Sequence, residues 1–216
     1  MTDRSNVPGE LRIGIIGGTF DPIHIGHLII AEEARCQLKL DRMVFIPAGI
    51  PPHKPDQPKA GPEERYQMTV LATEDNPAFE VSRFEIDRKC PSYTVDTLEE
   101  FKRIYGEKAR LFFITGADTI FEILTWYHPE RLIEMCKLVA ATRPGYNLQE
   151  VTERLPKEFI DQTIETPEIG ISSTELRNRV AEGNSIKYLV PQAVENYIYQ
   201  NGLYGAKKQC SSRDQG

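Results

Sequence analysis

Two histidines, His24 and His27, stand three residues apart in the segment Gly17-Gly18-Thr19-Phe20-Asp21-Pro22-Ile23-His24-Ile25-Gly26-His27-Leu28. Histidine is a donor whose charge can respond to a phosphate near neutral pH. The chain around the pair is also suited to an anion. Leu11 to Ile16, just before it, is a short apolar run bounded by glycine, the pattern of a buried parallel strand, and Leu28, Ala31, Ala34 and Leu38 follow at helical spacing. The segment is therefore a strand-to-helix turn. Gly17 and Gly18 let backbone approach a ligand closely, and the free N–H groups and positive dipole end of the helix favour phosphate. Glycine pairs end many strands, and a lone histidine is more often a satisfied side chain than a reactive one. The weight lies in the combination. It is not the dinucleotide fingerprint, which needs a third glycine, nor the Walker loop, which needs Gly-Lys-Ser/Thr. A zinc helix would place its histidines four apart with an intervening glutamate.

The elements that position this turn read as an alternation of strands and helices. Met43 to Ile46 is a second buried strand, ending at Pro47, and a proline-rich loop then runs to Pro62, long enough to be functional or mobile. Glu63 to Thr73 has Tyr66, Val70 and Leu71 on one helical face, Phe79 to Val81 is a short strand, and Thr94 to Ile104 carries Val95, Leu98 and Phe101 at helical steps. Leu111 to Ile114 and Lys137 to Ala141 are further apolar runs ending near glycine or proline. Ser172 and Glu175 have capping-box spacing, which predicts a helix through Ala181. Pro191 opens another helix, and Gly202 closes it. The pattern predicts an α/β fold: a Rossmann-like, doubly wound parallel sheet in a single domain over 11–204, with a small C-terminal helical part and flexible termini at 1–10 and 205–216.

Composition bounds the partners. A chain of 216 residues, 40% hydrophobic, is long enough for one buried α/β core and short for two. Its formal charge of −6 argues against a protein that coats nucleic acid, while a local cluster can still bind a small anion. Cys36, Cys90, Cys136 and Cys210 form no Cys-x-x-Cys pair, so neither a zinc knuckle nor a disulfide framework is indicated, and a reducing cytosol fits. There is no signal-peptide core and no apolar run of membrane-spanning length, so the expectation is a cytoplasmic protein with no membrane partner.

Gly-Thr-Phe-Asp-Pro-x-His-x-Gly-His resembles the signature of the Rossmann-like nucleotidyltransferases, and Ile171-Ser172-Ser173-Thr174-Glu175-Leu176-Arg177 resembles its second half. Within that superfamily, three segments are similar to those of bacterial nicotinate-mononucleotide adenylyltransferases: Ile46 to Lys54, Glu85 to Leu98, and Gly116-Ala117-Asp118 followed by Trp126-Tyr127. The similarity runs from about Arg12 to Tyr204. It implies an enzyme that joins ATP and nicotinate mononucleotide to give deamido-NAD and pyrophosphate, with Mg²⁺ carried mainly on the ATP phosphates. Cys90 stands where this family usually has glycine.

Adenylyl transfer needs two polyanions held together and the developing charge stabilised. The resemblance and the residue chemistry together place His24 and His27 at the α-phosphate and its transition state, and count Arg177, at the triphosphate, as catalytic with them. Gly17, Gly18, Thr19 and Phe20, with Ser173 and Thr174 at the second helix start, complete the ATP side, where Arg177 one turn on could clamp a phosphate bidentately. Without the first motif, that segment would be an ordinary capped helix with a solvated arginine. The resemblance assigns His53 and Lys54 to the mononucleotide phosphate, and Thr94, Asp118, Trp126 and Tyr127 to the rest of that substrate. Trp126, the only tryptophan, offers a stacking face for a pyridine ring, though tryptophans are more often core residues. Asp118 could accept from ribose hydroxyls or cap a helix. Asp21 could brace the turn or the metal shell. The amides around Thr94, at a predicted helix start, suit a ring carboxylate better than an amide, although Asp96 nearby opposes this.

Three rivals make different demands. Another adenylyl- or cytidylyltransferase of the superfamily, acting on pantetheine phosphate or an alcohol phosphate, would have no need of Pro-Pro-His-Lys, Ser-Tyr-Thr or the tryptophan. A non-catalytic nucleotide-binding regulator would have lost a histidine or Arg177. A nicotinamide oxidoreductase would need the third glycine and a downstream acid for the ribose.

Overall fold

The computed structural model describes residues 10–51, 59–116, 119, 122–142, 159 and 162–207. The four apolar runs of the sequence are strands buried on both faces, and their alternation sorts side chains between two core layers. Ile13, Ile15, Val44, Ile46, Leu111, Phe113, Leu138 and Ala140 point into one layer, and Ile16, Met43, Phe45, Phe112, Ile114, Val139 and Ala141 into the other. A sheet that is apolar on both faces must be covered on both.

The strands are β1 (Leu11–Gly18), β2 (Arg42–Pro47), β3 (Phe79–Val81), β4 (Ala109–Gly116), β5 (Lys137–Thr142) and β6 (Gln162–Glu165). They form one parallel sheet in the order β3-β2-β1-β4-β5-β6. The helices among the described residues are α1 (Ile25–Gln37), α2 (Pro62–Thr73), α3 (Thr94–Tyr105), α4 (Pro129–Met135), α5 (Ser173–Ala181) and α6 (Gln192–Asn201). Helix α1 presents Ala31 and Ala34 to one layer, where it is joined by Met68 of α2, Leu176 and Val180 of α5, and Val194 and Ile198 of α6. Helices α3 and α4 cover the other layer through Val95, Leu98, Phe101 and Leu132. The C-terminal helices thus belong to the main core.

The doubly wound order has its reversal between β1 and β4, where connections leave in opposite directions and a crevice opens at the carboxyl ends of the strands. Gly17 and Gly18 are the last residues of β1, paired with Ile46 and Pro47, so the turn itself is 19–24. Two elements lie beyond the sequence pattern. Helix α4 spans only seven residues, and β6 buries a single residue, Ile164, so neither shows a readable period. The expectations for Asp118, His53 and Lys54, and for the chain at 1–9 and 208–216, fall outside the described residues.

Candidate active site

A cavity of about 920 Å³ opens at that switch point, at the upper end of the range for small-molecule sites. Its floor is the end of β1, Phe113 to Gly116 of β4, and Ala141 of β5.

On one side stands the turn that follows β1. Thr19, Phe20, His24 and His27 line the cavity together with Gly17 and Gly18. His24 is the N-cap of α1 and His27 lies in its first turn, so the two rings stack with centroids 3.7 Å apart. The His24 backbone N–H donates to His27 Nδ1 at 3.2 Å, which places the proton of a neutral His27 ring on Nε2 as a donor. Gly26 allows this arrangement, since a Cβ there would lie 3.1 Å from His24 Cε1 and Nδ1. At Gly18 a Cβ would meet the Phe20 ring at 2.8 Å, so that glycine accommodates a core aromatic rather than a ligand; Gly17 has ordinary room. Phe20 is itself only 3% exposed, holds a left-handed φ of 51°, and sets its ring edge-on to His27 at 5.1 Å. Burial pushes the His24 pKa down to about 4. The ring in this state is neutral at pH 7, so a charge that responds near neutrality is not a property of His24 without a bound anion.

The second helix start faces the same cavity. Ser172 caps α5, its side chain accepting from Glu175 N–H at 3.1 Å, and Ser173, Thr174 and Arg177 all line the space. Arg177 donates from Nη1 to the Asp21 carbonyl at 2.7 Å and from Nη2 to Thr174 Oγ1 at 3.0 Å. Ser173 Oγ donates to the Pro22 carbonyl at 2.9 Å. The two motifs, far apart in sequence, are therefore bonded to each other. Asp21 does not line the cavity. Its carboxylate accepts from Lys59 N–H, Ala60 N–H and the Tyr204 hydroxyl at 2.9, 3.0 and 2.8 Å, which makes it a brace rather than a free metal ligand.

The opposite wall carries Tyr93 and Thr94 at the start of α3, with Trp126 and Tyr127. Trp126 meets Phe113 edge-on at 5.9 Å and is half-buried, so it packs on the core with one part while lining the cavity with another. Tyr127 is half exposed and stacks obliquely on Tyr93 at 4.6 Å. No side chain caps α3 at Tyr93. The Asp96 charge in the first turn is met by Arg88 Nη2 at 2.8 Å, which offsets its repulsion of an anion. Cys90 does not occupy a left-handed φ, so this position does not require glycine.

Glu85 was not singled out from the sequence. It lines the cavity, is 7% exposed, and accepts from the Thr97 hydroxyl at 2.5 Å; burial is the largest influence and raises its pKa. Ser92 links it to the β2 loop by accepting from Gly49 N–H at 3.0 Å. In Glu85-Ile86-Asp87-Arg88 a carboxylate stands among polar neighbours and gives no hint of burial.

A family profile described as "Cytidylyltransferase-like" matches residues 15–179. A protein of Thermoanaerobacter sp. (strain X514), curated as "Probable nicotinate-nucleotide adenylyltransferase", is 52% identical over 200 residues, covering 90% of this chain and 95% of that protein. This chain belongs to the nicotinate-nucleotide adenylyltransferase family. A Moorella thermoacetica relative of the same name is 54% identical over 198 residues, covering 89% of this chain and 91% of that protein. The fold recurs in the solved structure "Plasmodium falciparum nicotinic acid mononucleotide adenylyltransferase complexed with NaAD", with a TM-score of 0.74 over 92% of this chain and 100% of that one, at 19% identity. As a nicotinate-nucleotide adenylyltransferase the protein is a nucleotidyltransferase, a class that generally uses a divalent metal with ATP. No group of three or more His, Cys, Asp or Glu gathers among the described residues in a way that could hold a metal ion. ATP phosphate oxygens are hard donors of the kind that a divalent metal takes. No helix among the described residues is long and apolar enough to cross a membrane.

Proposed function

We propose that this protein transfers the adenylyl group of ATP to nicotinate mononucleotide, giving deamido-NAD and pyrophosphate. The observation that carries the reading is that three helix starts and a half-buried tryptophan, from four distant stretches of chain, line one cavity at the switch point of the sheet. Each side has a function. The His24–His27 turn and the α5 start suit the phosphates of ATP; the α3 start, Trp126 and Tyr127 suit a pyridine carboxylate and its ring.

In the reaction, an oxygen of the mononucleotide phosphate attacks the α-phosphorus in line as the bond to the β-phosphate oxygen breaks, and pyrophosphate leaves with its electrons. His27 Nε2–H and His24 donate to the α-phosphate oxygens as charge grows there. Arg177, already held by Asp21 and Thr174, presents its guanidinium to the triphosphate with little ordering cost, beside Ser173, Thr174 and the amides of Gly17 to Phe20. His53 and Lys54 take the mononucleotide phosphate, and Asp118 its ribose hydroxyls. A divalent metal such as Mg²⁺, if carried on ATP beside Ser173, Thr174 and Arg177, would supply charge neutralisation for the leaving pyrophosphate. Cys36, Cys90 and Cys136 are all free thiols, in keeping with work in a reducing cytoplasm. We assign the whole activity to one domain over 11–204.

Pyrophosphate release from ATP, measured with nicotinate mononucleotide, pantetheine phosphate and simple alcohol phosphates offered singly, tests the reading. Release that depends on the pyridine mononucleotide supports it. Release driven equally by another acceptor, or by none, would return the protein to the rival activities.

A further inference from the structure

Arg65 of α2 is fully buried, which is unusual for a guanidinium and requires that its donors be satisfied. Three of them reach carbonyl oxygens from three separate stretches: Nε donates to Ala60 at 3.2 Å, Nη1 to Thr19 at 2.8 Å and Nη2 to Gly49 at 3.1 Å. Thr19 belongs to the histidine-bearing turn. Gly49 sits at the base of the loop after β2, bonded to Ser92 beside the α3 start, and Ala60 is where the chain re-enters α2.

Asp21, two residues after Thr19, grips the chain at Ala60 as well. It is 4% exposed and takes the Lys59 and Ala60 amides, while its third donor is the hydroxyl of Tyr204, 183 residues away near the end of the described chain. Tyr204 holds a left-handed φ of 56°, disfavoured for a bulky residue and retained only where its surroundings enforce it. Neither Arg65, Asp21 nor Tyr204 lines the cavity. A buried charge cluster contributes little stability over well-packed apolar residues of similar size, and its best-attested use is to specify one geometry.

We infer that Arg65, with Asp21 and Tyr204, is a positioning cluster for adenylyl transfer, setting the ATP-side turn at Thr19 against the mononucleotide-side loop base at Gly49. This rests on the adenylyl-transfer reading above. A planar fork with divergent donors fixes three carbonyls at once, and a lysine ammonium cannot reproduce that geometry. Loosening the cluster lets the two walls shift relative to each other. Each substrate still meets its own wall, but the in-line approach of phosphate oxygen to α-phosphorus is populated less, so the loss falls on kcat.

The test compares Tyr204→Phe, which removes one oxygen, and Arg65→Lys with the wild-type protein, with both substrates varied and folding checked by thermal unfolding. Expected is a kcat lowered about three- to tenfold in Tyr204→Phe and tenfold or more in Arg65→Lys, with both KM values within about threefold. A folded Tyr204→Phe protein with wild-type kcat, or a loss expressed as a raised KM for one substrate alone, would overturn the inference, and Tyr204→Phe decides it alone if Arg65→Lys does not fold. Failure of the wild-type protein to transfer adenylyl at all would instead overturn the reading beneath it.

Discussion

At the scale of single residues, His27 and Arg177 are held by neighbours within the protein itself. His27 Nδ1 is occupied by the His24 amide, so Nε2–H is committed as a donor without reorganisation. His27→Ala is expected to keep the fold and ATP binding within several-fold while lowering turnover by about two orders of magnitude or more, as judged by kcat and by ATP titration. Near-normal turnover in a folded variant would remove His27 from the mechanism. Trp126→Ala should raise KM for the mononucleotide far more than KM for ATP, because the proposed ring-stacking face would serve one substrate. Equal effects, or simple loss of folded protein, would assign Trp126 to the core contact with Phe113. His24 also makes a pH prediction. Its pKa in the folded state, about 4, lies below the ordinary 6.5, so the unfolded chain binds the proton more readily in that interval. Its contribution is full above pH 6.5 and is lost as pH falls towards 4, at most about 3 kcal/mol by the size of the shift. Glu85 works in the opposite sense, since its raised pKa favours the folded state at lower pH. Chemical unfolding of the wild type and His24→Gln across pH 4 to 7 isolates the histidine: the stability difference between them should change with pH, and a constant difference would refute the shift.

At the scale of elements, the histidine turn, the α5 start and the capping serine were legible because local chemistry dictates them. Ser172 accepts from Glu175 N–H as the spacing of the sequence predicts, and Pro191 and Gly202 bound α6 as their backbone preferences require. Arg65 and Tyr204 were not legible: one reads as part of a polar helix face and the other as an ordinary aromatic, and their roles depend on contacts across up to 183 residues. Glu85 was hidden because a carboxylate among polar neighbours carries no sign of its burial. The Arg88–Asp96 pair was half legible, because the sequence shows Asp96 at the start of α3 but not the guanidinium that offsets it. That pair yields an element-level prediction. Arg88→Met should leave the Asp96 charge facing the N-terminal amides of α3 and raise KM for nicotinate mononucleotide several-fold, with KM for ATP unchanged. An equal rise for both substrates would show that the effect reaches the site through folding instead.

At the scale of the whole molecule, a parallel sheet covered on both faces leaves one place where connections diverge, and every described residue expected at the site except Asp21 lines the cavity there. Nicotinate mononucleotide, the proposed acceptor, carries a phosphate at one end and a carboxylate at the other. The α3 amides would be satisfied by that carboxylate, whereas an amide would bring its own donors against them and leave polar groups unpaired. The most direct measurement is a competition: ATP with equal nicotinate and nicotinamide mononucleotides, the dinucleotide products resolved by mass. Deamido-NAD is expected in excess by about a hundredfold or more. Equal incorporation, a preference for the amide, or no dinucleotide at all would contradict it.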